Sequence, residues 1–592
     1  LSSCTRFEAE SQQWTPQMEA DWKQRSAEAI AKGAGSNYGN TAFENEKKSY
    51  PKAMIDFLAG NREKAIAFLT APDADASRNS HTLGIDFYSS FTLKNQIRKY
   101  FYFGKYLDNS YRLRMKEAMR ILTEVDPLTR HFPQPRQFWE QSKDNCNTWV
   151  DCRNTDNLKA MRNVAVYLFA EEAGNEQTRL IYKQKLQRDI RTLYQIGQGE
   201  WDSENYLGHT ITAYINLYDF ALDPEVKSLA KNALDWLFTS GALKYWRGAF
   251  GGPSKRDSSK GNCVWCSLAT HELGLYFGDS PITNSKPSPD VVHLITSSYR
   301  PPAAVVALAR KDFPKPVELL NSKPTYENWK PGSDDAPQFH ETLYFGNTFQ
   351  LGTLAKGSGG DWNGFKLMAY NQQRGVDYFI AATGYDPTKI STSSIGGDNV
   401  AQYRNLVIWL NNKPQANFQF FLPKSSLLET INGVTFIRCS KTWLALTPIN
   451  LTVEGINTKA TQKIKEHYPS DQILTATGTR GTVSGFALEV GEELSHGNWE
   501  EFKQSVIKKS RVSLNQINSG IVEYQGVAGK VKLQHTGTGL PKVWRNGQYH
   551  NWKNHYAVYQ SDSGTLAPIY LGWKSGKLLL EAGGHKFQSQ LK

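Results

Sequence analysis

Glu176-Gln-Thr-Arg-Leu180-Ile-Tyr182-Lys-Gln-Lys-Leu186-Gln-Arg-Asp-Ile190-Arg-Thr-Leu193-Tyr-Gln-Ile196 sets its apolar residues three and four positions apart, the period of one helical face. The same period runs through Tyr50 to Thr70, Tyr111 to Glu124, Leu158 to Glu172 and Glu225 to Ser240. Successive helices joined by short loops bearing Gly, Asn, Asp and Pro pack as antiparallel hairpins. Such hairpins stack into a bundle, a solenoid or a closed toroid.

After Phe339 the apolar period drops to two. Tyr344 to Leu354, Gly375 to Thr383, Asn405 to Leu410, Phe418 to Leu422, Val434 to Cys439, Gly485 to Val490 and Ser563 to Lys574 read as short strands between Gly-rich turns, the pattern of an antiparallel sandwich. Between the halves, Ser280 to Pro337 is rich in Pro, Ser and Lys and reads as a surface linker with a short helix near Val305. The expected architecture is multidomain, α then β. An N-terminal α/α toroid, an incomplete barrel of helical hairpins, occupies 1–280, a linker 281–337 and an antiparallel β-sandwich 338–592.

A chain of 592 residues and 66.8 kDa exceeds one ordinary core and divides most naturally into two large domains or three smaller ones. Hydrophobic residues make up 39% and charged residues 21%, a globular balance with no disordered polar tail. The net charge of +12 favours a polyanionic partner. Nucleic acid is set aside, because the basic residues are scattered and zinc-finger spacing, an aromatic RNP-type strand and an Arg-rich arm are all missing. The 16 Trp, 28 Tyr and 28 Phe suit stacking on sugar rings. No run of about eighteen apolar residues is present, so no transmembrane segment is expected.

Leu1-Ser-Ser-Cys4 is similar to the end of a bacterial lipoprotein signal, which would put lipid on Cys4. The expected location is secreted, periplasmic or cell-surface, and the expected state is a monomer. Cys146 with Cys152 and Cys263 with Cys266 are close local pairs, read as two short-loop disulfides of an exported protein. A four-thiolate zinc site is the competing reading, disfavoured because Cys-x5-Cys is wider than usual zinc knuckles. Cys439 falls in an alternating strand and reads as a buried free thiol.

Chemistry concentrates in Gly197-Gln-Gly-Glu-Trp201-Asp-Ser-Glu-Asn205-Tyr-Leu-Gly-His209-Thr-Ile-Thr-Ala-Tyr214-Ile-Asn-Leu-Tyr218-Asp219. A purely structural loop here needs only a turn and an N-cap by Ser203 or Asp202, feeding a helix over Tyr206 to Phe220. The crowd of ionisable and aromatic side chains exceeds that need. Uronic-acid elimination needs such groups: one to neutralise the carboxylate, as an Asn amide can, a neutral His or tyrosinate to take the proton, and a Tyr hydroxyl to protonate the leaving oxygen. No metal or cofactor is required.

His209-Thr210-x-x-Ala213-Tyr214-x-x-x-Tyr218, preceded by Asp202-Ser203, resembles the segment holding the catalytic His and Tyr in the hyaluronate, chondroitin and xanthan lyases of polysaccharide lyase family eight. Arg153-Asn154-Thr-Asp-Asn157-Leu158, with Asn154 placed 55 residues before His209, is similar to that family's Asn-bearing segment. Heparinase II/III-type and alginate lyases share the plan of a helical toroid followed by sheet. The chain departs from family eight in lacking its Trp-Trp motif, and Arg247 and Arg256 match its Arg pair only loosely. The resemblance implies Asn154, His209 and Tyr218 as catalytic residues. On a continuous helix His209 and Tyr218 are about 900° apart, on opposite faces. His209 is therefore expected on the loop before the helix, or Tyr214 takes the place of Tyr218. Arg247, Arg256, Asn157, Trp201, Asn205, Tyr206, Trp246 and His340 form the candidate set for binding an acidic polysaccharide.

Two other readings stand beside the lyase. A glycoside hydrolase would use Asp202 or Glu204 with a partner such as Asp151 or Glu341. A surface lipoprotein would only bind glycan through its aromatics.

Overall fold

The structure, a computed structural model, describes residues 14–39, 45–73, 81–87, 91–127, 155–256, 264–281, 286–324, 336–357, 362–384, 393–456, 471–479, 481–554 and 556–592. Ten helices of eight residues or more precede residue 280 among them: α1 (Pro16–Gly33), α2 (Asn45–Leu58), α3 (Arg62–Leu69), α4 (Phe91–Phe101), α5 (Asn109–Thr123), α6 (Asp156–Ala173), α7 (Glu176–Ile196), α8 (Tyr206–Phe220), α9 (Pro224–Lys244) and α10 (Leu268–Phe277). Before residue 250, the strands among the described residues are two-residue pieces. The α-then-β order of the sequence reading is thus observed. The expected Tyr50–Thr70 helix is split into α2 and α3 at Gly60, whose φ of 107° a residue with a Cβ rarely adopts.

Helix ends follow local chemistry. Thr15 accepts from Met18 N at 3.2 Å and Pro16 opens α1; Asp223 accepts from Glu225 N at 3.0 Å and Pro224 opens α9. Both pairs supply an acceptor for an orphan amide and a preset φ. α8 is apolar on most sides and correspondingly central, touching α4, α6, α9 and α10. A Cβ on Gly208 would meet Leu268 Cγ at 2.6 Å, so glycine there sets the approach of α8 to α10. α10 returns to α1, where Trp22 and Trp14 lie against Tyr276 at 6.0 and 5.9 Å.

Eight antiparallel strands form one sheet in the order Leu451–Ile456, Asp471–Gly478, Asn417–Pro423, Gly375–Gly384, Phe365–Asn371, Phe349–Leu354, Phe339–Phe345 and Val317–Lys323. Six form a second: Asp398–Tyr403, Leu406–Asn411, Ser484–Glu492, Thr442–Ile449, Val434–Cys439 and Leu427–Ile431. The two share a core in which Phe365 meets Trp409 at 5.9 Å and Phe420 meets Phe486 at 5.3 Å. The other face of the eight-stranded sheet is covered too. Leu319, Leu343 and Phe345 join the helical core, and Met368, Tyr378 and Phe421 pack with Trp246 and Val264. Burial on both faces explains why strands such as Asn417–Pro423 are buried along their whole length.

Residues 281–337 are more than a surface linker. Ala303–Ala309 is a buried helix against α9, and Val317–Lys323 is the edge strand of the eight-stranded sheet, paired with Phe339–Phe345. Seven consecutive apolar residues explain the first, since no face of that helix suits water. The expected Tyr344–Leu354 strand is two strands around Gly346-Asn347-Thr348, whose turn amides donate to the Glu492 carboxylate at 2.9 and 2.8 Å. Of Ser563–Lys574, only Ile569–Gly572 is strand, and Ser563 Oγ closes the preceding turn by donating to Ala567 O at 2.8 Å. The last four strands lie against the helices, with Tyr194 Oη 2.7 Å from Ser589 Oγ.

Cys439 is a buried free thiol on Val434–Cys439, and burial pushes it up to about 12. Cys266 is disulfide-bonded. Cys4, Cys146, Cys152 and Cys263 lie outside the described residues. Among the described residues no helix is long and apolar enough to cross a membrane.

Candidate active site

The turn between α7 and α8 is packed at the seam between helices and sheet. Glu200, Trp201, Asp202, Ser203 and Glu204 are all buried, and Ser203 Oγ accepts from Tyr206 N at 3.1 Å to start α8. Burial of three carboxylates in five residues demands partners. Lys323 donates to Asp202 at 2.7 Å and Lys366 to Glu204 at 2.5 Å, while Lys244 pairs with Glu341 and lies 3.6 Å from Asp202. Burial raises the Asp202 carboxyl, but Lys323 and Lys244 more than offset it and the net shift is downward. These pairs commit Asp202, Glu204 and Glu341, the carboxylates a hydrolase reading nominates, to holding the seam. Asp151 lies outside the described residues.

One cluster from this segment reaches solvent. Tyr206 and His209 share a face of the first turn of α8, with rings 6.0 Å apart, and both are partly exposed. The Arg256 guanidinium lies 4.1 Å over the Tyr206 ring, donates to Tyr206 Oη at 3.0 Å and stands 3.8 Å from Glu200 Oε2. Asn157, on the first turn of α6, donates to Glu200 Oε1 at 2.5 Å, and Glu200 N donates to Asp156 Oδ2 at 2.8 Å. Burial, with the Asp156 charge second, pushes the Glu200 carboxyl up to about 7; burial pushes Asp156 up to about 6.

Behind His209, Lys94 Nζ lies 3.0 Å from its Nδ1 and 3.0 Å from Asp290 Oδ1. Phe91 packs edge-on at 4.7 Å. Burial first, then the Lys94 and Lys47 charges, hold His209 well below its ordinary range. The ring is therefore neutral at neutral pH.

The structure does not bring the other sequence candidates here. His209 lies within α8, not on the preceding loop, so Tyr218 sits nine positions on, about 13.5 Å along the axis. Tyr218 lies edge-on to Tyr299 at 5.6 Å with Lys227 over its ring at 4.8 Å. Tyr214 is buried beside Asp156, Asp189 and Gln198, and burial raises its phenol well above the usual range. Asn154 lies outside the described residues. Asn205 Oδ1 accepts from Leu268 N at 3.2 Å, capping α10.

Trp201 is buried against Phe339, and Lys255 Nζ lies 5.3 Å from the Trp201 ring and 3.0 Å from that of Trp362. Trp246 is buried under the sheet. Neither indole is a free stacking platform. Arg247 donates to Gly375 O at 3.0 Å and lies over Tyr370 at 4.5 Å, and buried His340 packs on Trp552 at 4.9 Å.

Sequence reasoning missed Glu200 and Lys94. Glu200 stood inside the segment quoted above, masked by Asp202 and Glu204. Lys94 left a subtler mark: Lys94, Asn95, Arg98 and Lys99 are polar yet all buried on α4, where an ordinary surface helix would bury aliphatics. A cleft of about 260 Å³ lies elsewhere, between α1 and α10, lined by Arg25, Glu28, Lys32, Trp265, His271 and Asp279. Among the described residues no three His, Cys, Asp or Glu side chains converge as on a metal ion. No protein-family model matches the chain, and no curated protein matches it.

Proposed function

We propose that the chain is a polysaccharide lyase that cleaves an acidic, uronic-acid-containing polysaccharide by β-elimination at the Tyr206–His209–Arg256 cluster. One observation carries the reading: a neutral imidazole, a phenol and a guanidinium meet where the 197–219 segment reaches solvent. In the reaction the proton beside the uronate carboxylate leaves, its electron pair forms the ring double bond, and the glycosidic C–O bond breaks. The leaving oxygen then takes a proton. Tyr206 carries the proton transfers beside the neutral His209 ring, and Arg256 faces the anionic sugar.

The same proposal takes the helices as an α/α toroid, supported by the return of α10 to α1, and the two sheets sharing a core as the β-sandwich. It places the enzyme in a secreted, periplasmic or cell-surface location, which the Cys266 disulfide supports.

A hydrolase is the second reading, favoured by Glu200, whose carboxyl is pushed up to about 7 as a general acid requires. Incubation with a panel of uronate-containing glycans separates the two. Growth of the ultraviolet absorbance of an unsaturated uronate supports the lyase, new reducing ends without it support hydrolysis, and neither leaves a glycan-binding protein.

A further inference from the structure

Among the described residues, the buried ammonium of Lys94 on α4 meets the His209 ring and a carboxylate. Its side chain is 1% exposed, with Nζ 3.0 Å from His209 Nδ1 and 3.0 Å from Asp290 Oδ1. An ammonium has three protons and no lone pair, so it donates to Nδ1, while its charge pairs with Asp290. Nδ1 is then the acceptor, and a neutral imidazole has one proton, which must sit on Nε2.

We propose that Lys94 is a positioning residue that fixes His209 as the Nε2–H tautomer, so that the ring meets substrate as a hydrogen-bond donor to the uronate carboxylate and cannot act as the base. The base role then falls to the Tyr206 oxygen as a tyrosinate, its own proton having passed to solvent before the step and its charge met by the Arg256 guanidinium that donates to it. It takes the proton from the carbon beside the carboxylate, the C–H pair becomes the double bond, the C–O pair leaves with the glycosidic oxygen, and that oxygen takes the proton from Tyr206. The proton count closes without His209 changing charge.

The surroundings agree from every side. α4 presents Lys94 and Phe91, α2 presents Lys47, whose Nζ is 4.3 Å from the Phe91 ring, and the segment before Val292–Ile295 presents Asp290. His293, which also feels the Lys94 charge, bonds Asn95 through Nε2 at 2.9 Å. Glu272 on α10, near Lys94, has its carboxyl raised well above the ordinary range by burial and accepts from Thr212 at 2.9 Å. Asp290 is the carboxylate paired with Lys94, and the Lys94 ammonium occupies the Nδ1 edge of His209. A second proton on His209 would have to displace the Lys94 bond.

The chemical half of this proposal rests on the lyase reading; the tautomer does not. The test is nitrogen NMR of the full chain carrying ¹⁵N-histidine, with the His209 signals assigned by their loss in His209→Gln. The expected spectrum has unprotonated Nδ1 and protonated Nε2, unchanged as pH falls through 6.5, the ordinary histidine value. In Lys94→Met the donor that keeps Nδ1 unprotonated is gone, so the Nδ1–H tautomer should appear, while burial, the larger cause of the low range, keeps the ring neutral. A protonated Nδ1 in the unaltered protein overturns the proposal by itself, even if Lys94→Met fails to fold. A folded Lys94→Met whose His209 holds the Nε2–H tautomer as before overturns it as well. Absence of unsaturated product from every glycan would remove the lyase reading and leave the tautomer standing.

Discussion

Arg256 stacks its guanidinium 4.1 Å above the ring of Tyr206 and donates to the same residue's hydroxyl at 3.0 Å. One cation thus holds the phenol by face and by oxygen. Both positions have to be fixed for this to happen. Tyr206 is set by the Ser203 cap at the start of α8. Arg256, at φ 52°, directly follows the strand Ser254–Lys255, which pairs with Trp362–Asn363. Both partners come from the helical half, and the pairing of Ser254–Lys255 with Trp362–Asn363 anchors Arg256 to the sheet half, which ties the chemistry to the seam between them.

Tyr206→Phe removes one oxygen and leaves the ring under the guanidinium. Turnover on an acidic glycan should fall by roughly 10² or more with KM little changed, because the lost interaction belongs to proton transfer. Tyr218→Phe, at the far end of α8 against Tyr299, should keep near-normal turnover. Steady-state kinetics of the two variants decides. Loss confined to Tyr218→Phe would return the chemistry to the residue the sequence motif favours.

Arg256 and Arg247 make a matched comparison, with 24% and 22% of their side chains exposed. Arg247 is spent on Gly375 O and the Tyr370 ring, whereas Arg256 sits in the cluster. Arg256→Ala should weaken glycan binding several-fold more than Arg247→Ala. Binding by the unaltered protein, of net charge +12, should weaken as salt shortens the screening length to about 8 Å and below. Titrations at two ionic strengths test both statements, and equal losses in the two variants would remove Arg256 from the binding role.

Much of the fold was legible because periodicity is a local property. Glu176 to Ile196 reads as a helix and is one, and the switch to a period of two marks the β half. The reading failed where the cause was distant. The Gly346–Thr348 turn is held by Glu492, nearly 150 residues away in sequence. Residues 281–337 look like a linker by their prolines, yet Val317–Lys323 is recruited into a sheet by Phe339–Phe345. At the site, the 197–219 segment announced itself by its crowd of polar groups. The division of labour within it did not. Asp202 and Glu204 are structural because Lys323 and Lys366 arrive from the sheet, and His209 is tuned by a lysine 115 positions earlier.

Glu200 gives a pH signature. Its folded carboxyl is pushed up to about 7 from an ordinary 4.5. Between those values the unfolded chain has lost the proton while the native state keeps it, so the native state binds more protons there. Stability attached to this group is therefore full below about 4.5 and is lost as pH rises through about 7. Glu200→Gln cannot ionise and should escape that loss. Relative to the unaltered protein it should gain stability from pH 4.5 to 7, by at most about 1.4 kcal/mol per pH unit. Denaturation midpoints across that range provide the check, and a difference that shrinks as pH rises would contradict the assignment.

The seam itself can be probed at Lys366 and Glu204. Both side chains are 0% exposed and lie 2.5 Å apart, one on the sheet strand Phe365–Asn371 and the other on the turn before α8. The stem of Lys366 also fills space beside Gly252, where an added Cβ would meet its Cδ at 2.9 Å. Lys366→Met keeps that stem and deletes the charge, taking the ammonium away from the buried Glu204 carboxylate. Breaking such a pair costs about 3–5 kcal/mol. Lys366→Met with Glu204→Gln removes both charges and should recover a large part of the loss, because the desolvation penalty goes with the attraction. If the single and double variants are equally unstable in chemical denaturation, the lysine contributes by packing and the ion pair does not hold the seam. If the double variant recovers, the same protein should regain glycan turnover together with stability, since Tyr206 begins two residues after Glu204 and depends on that turn for its position.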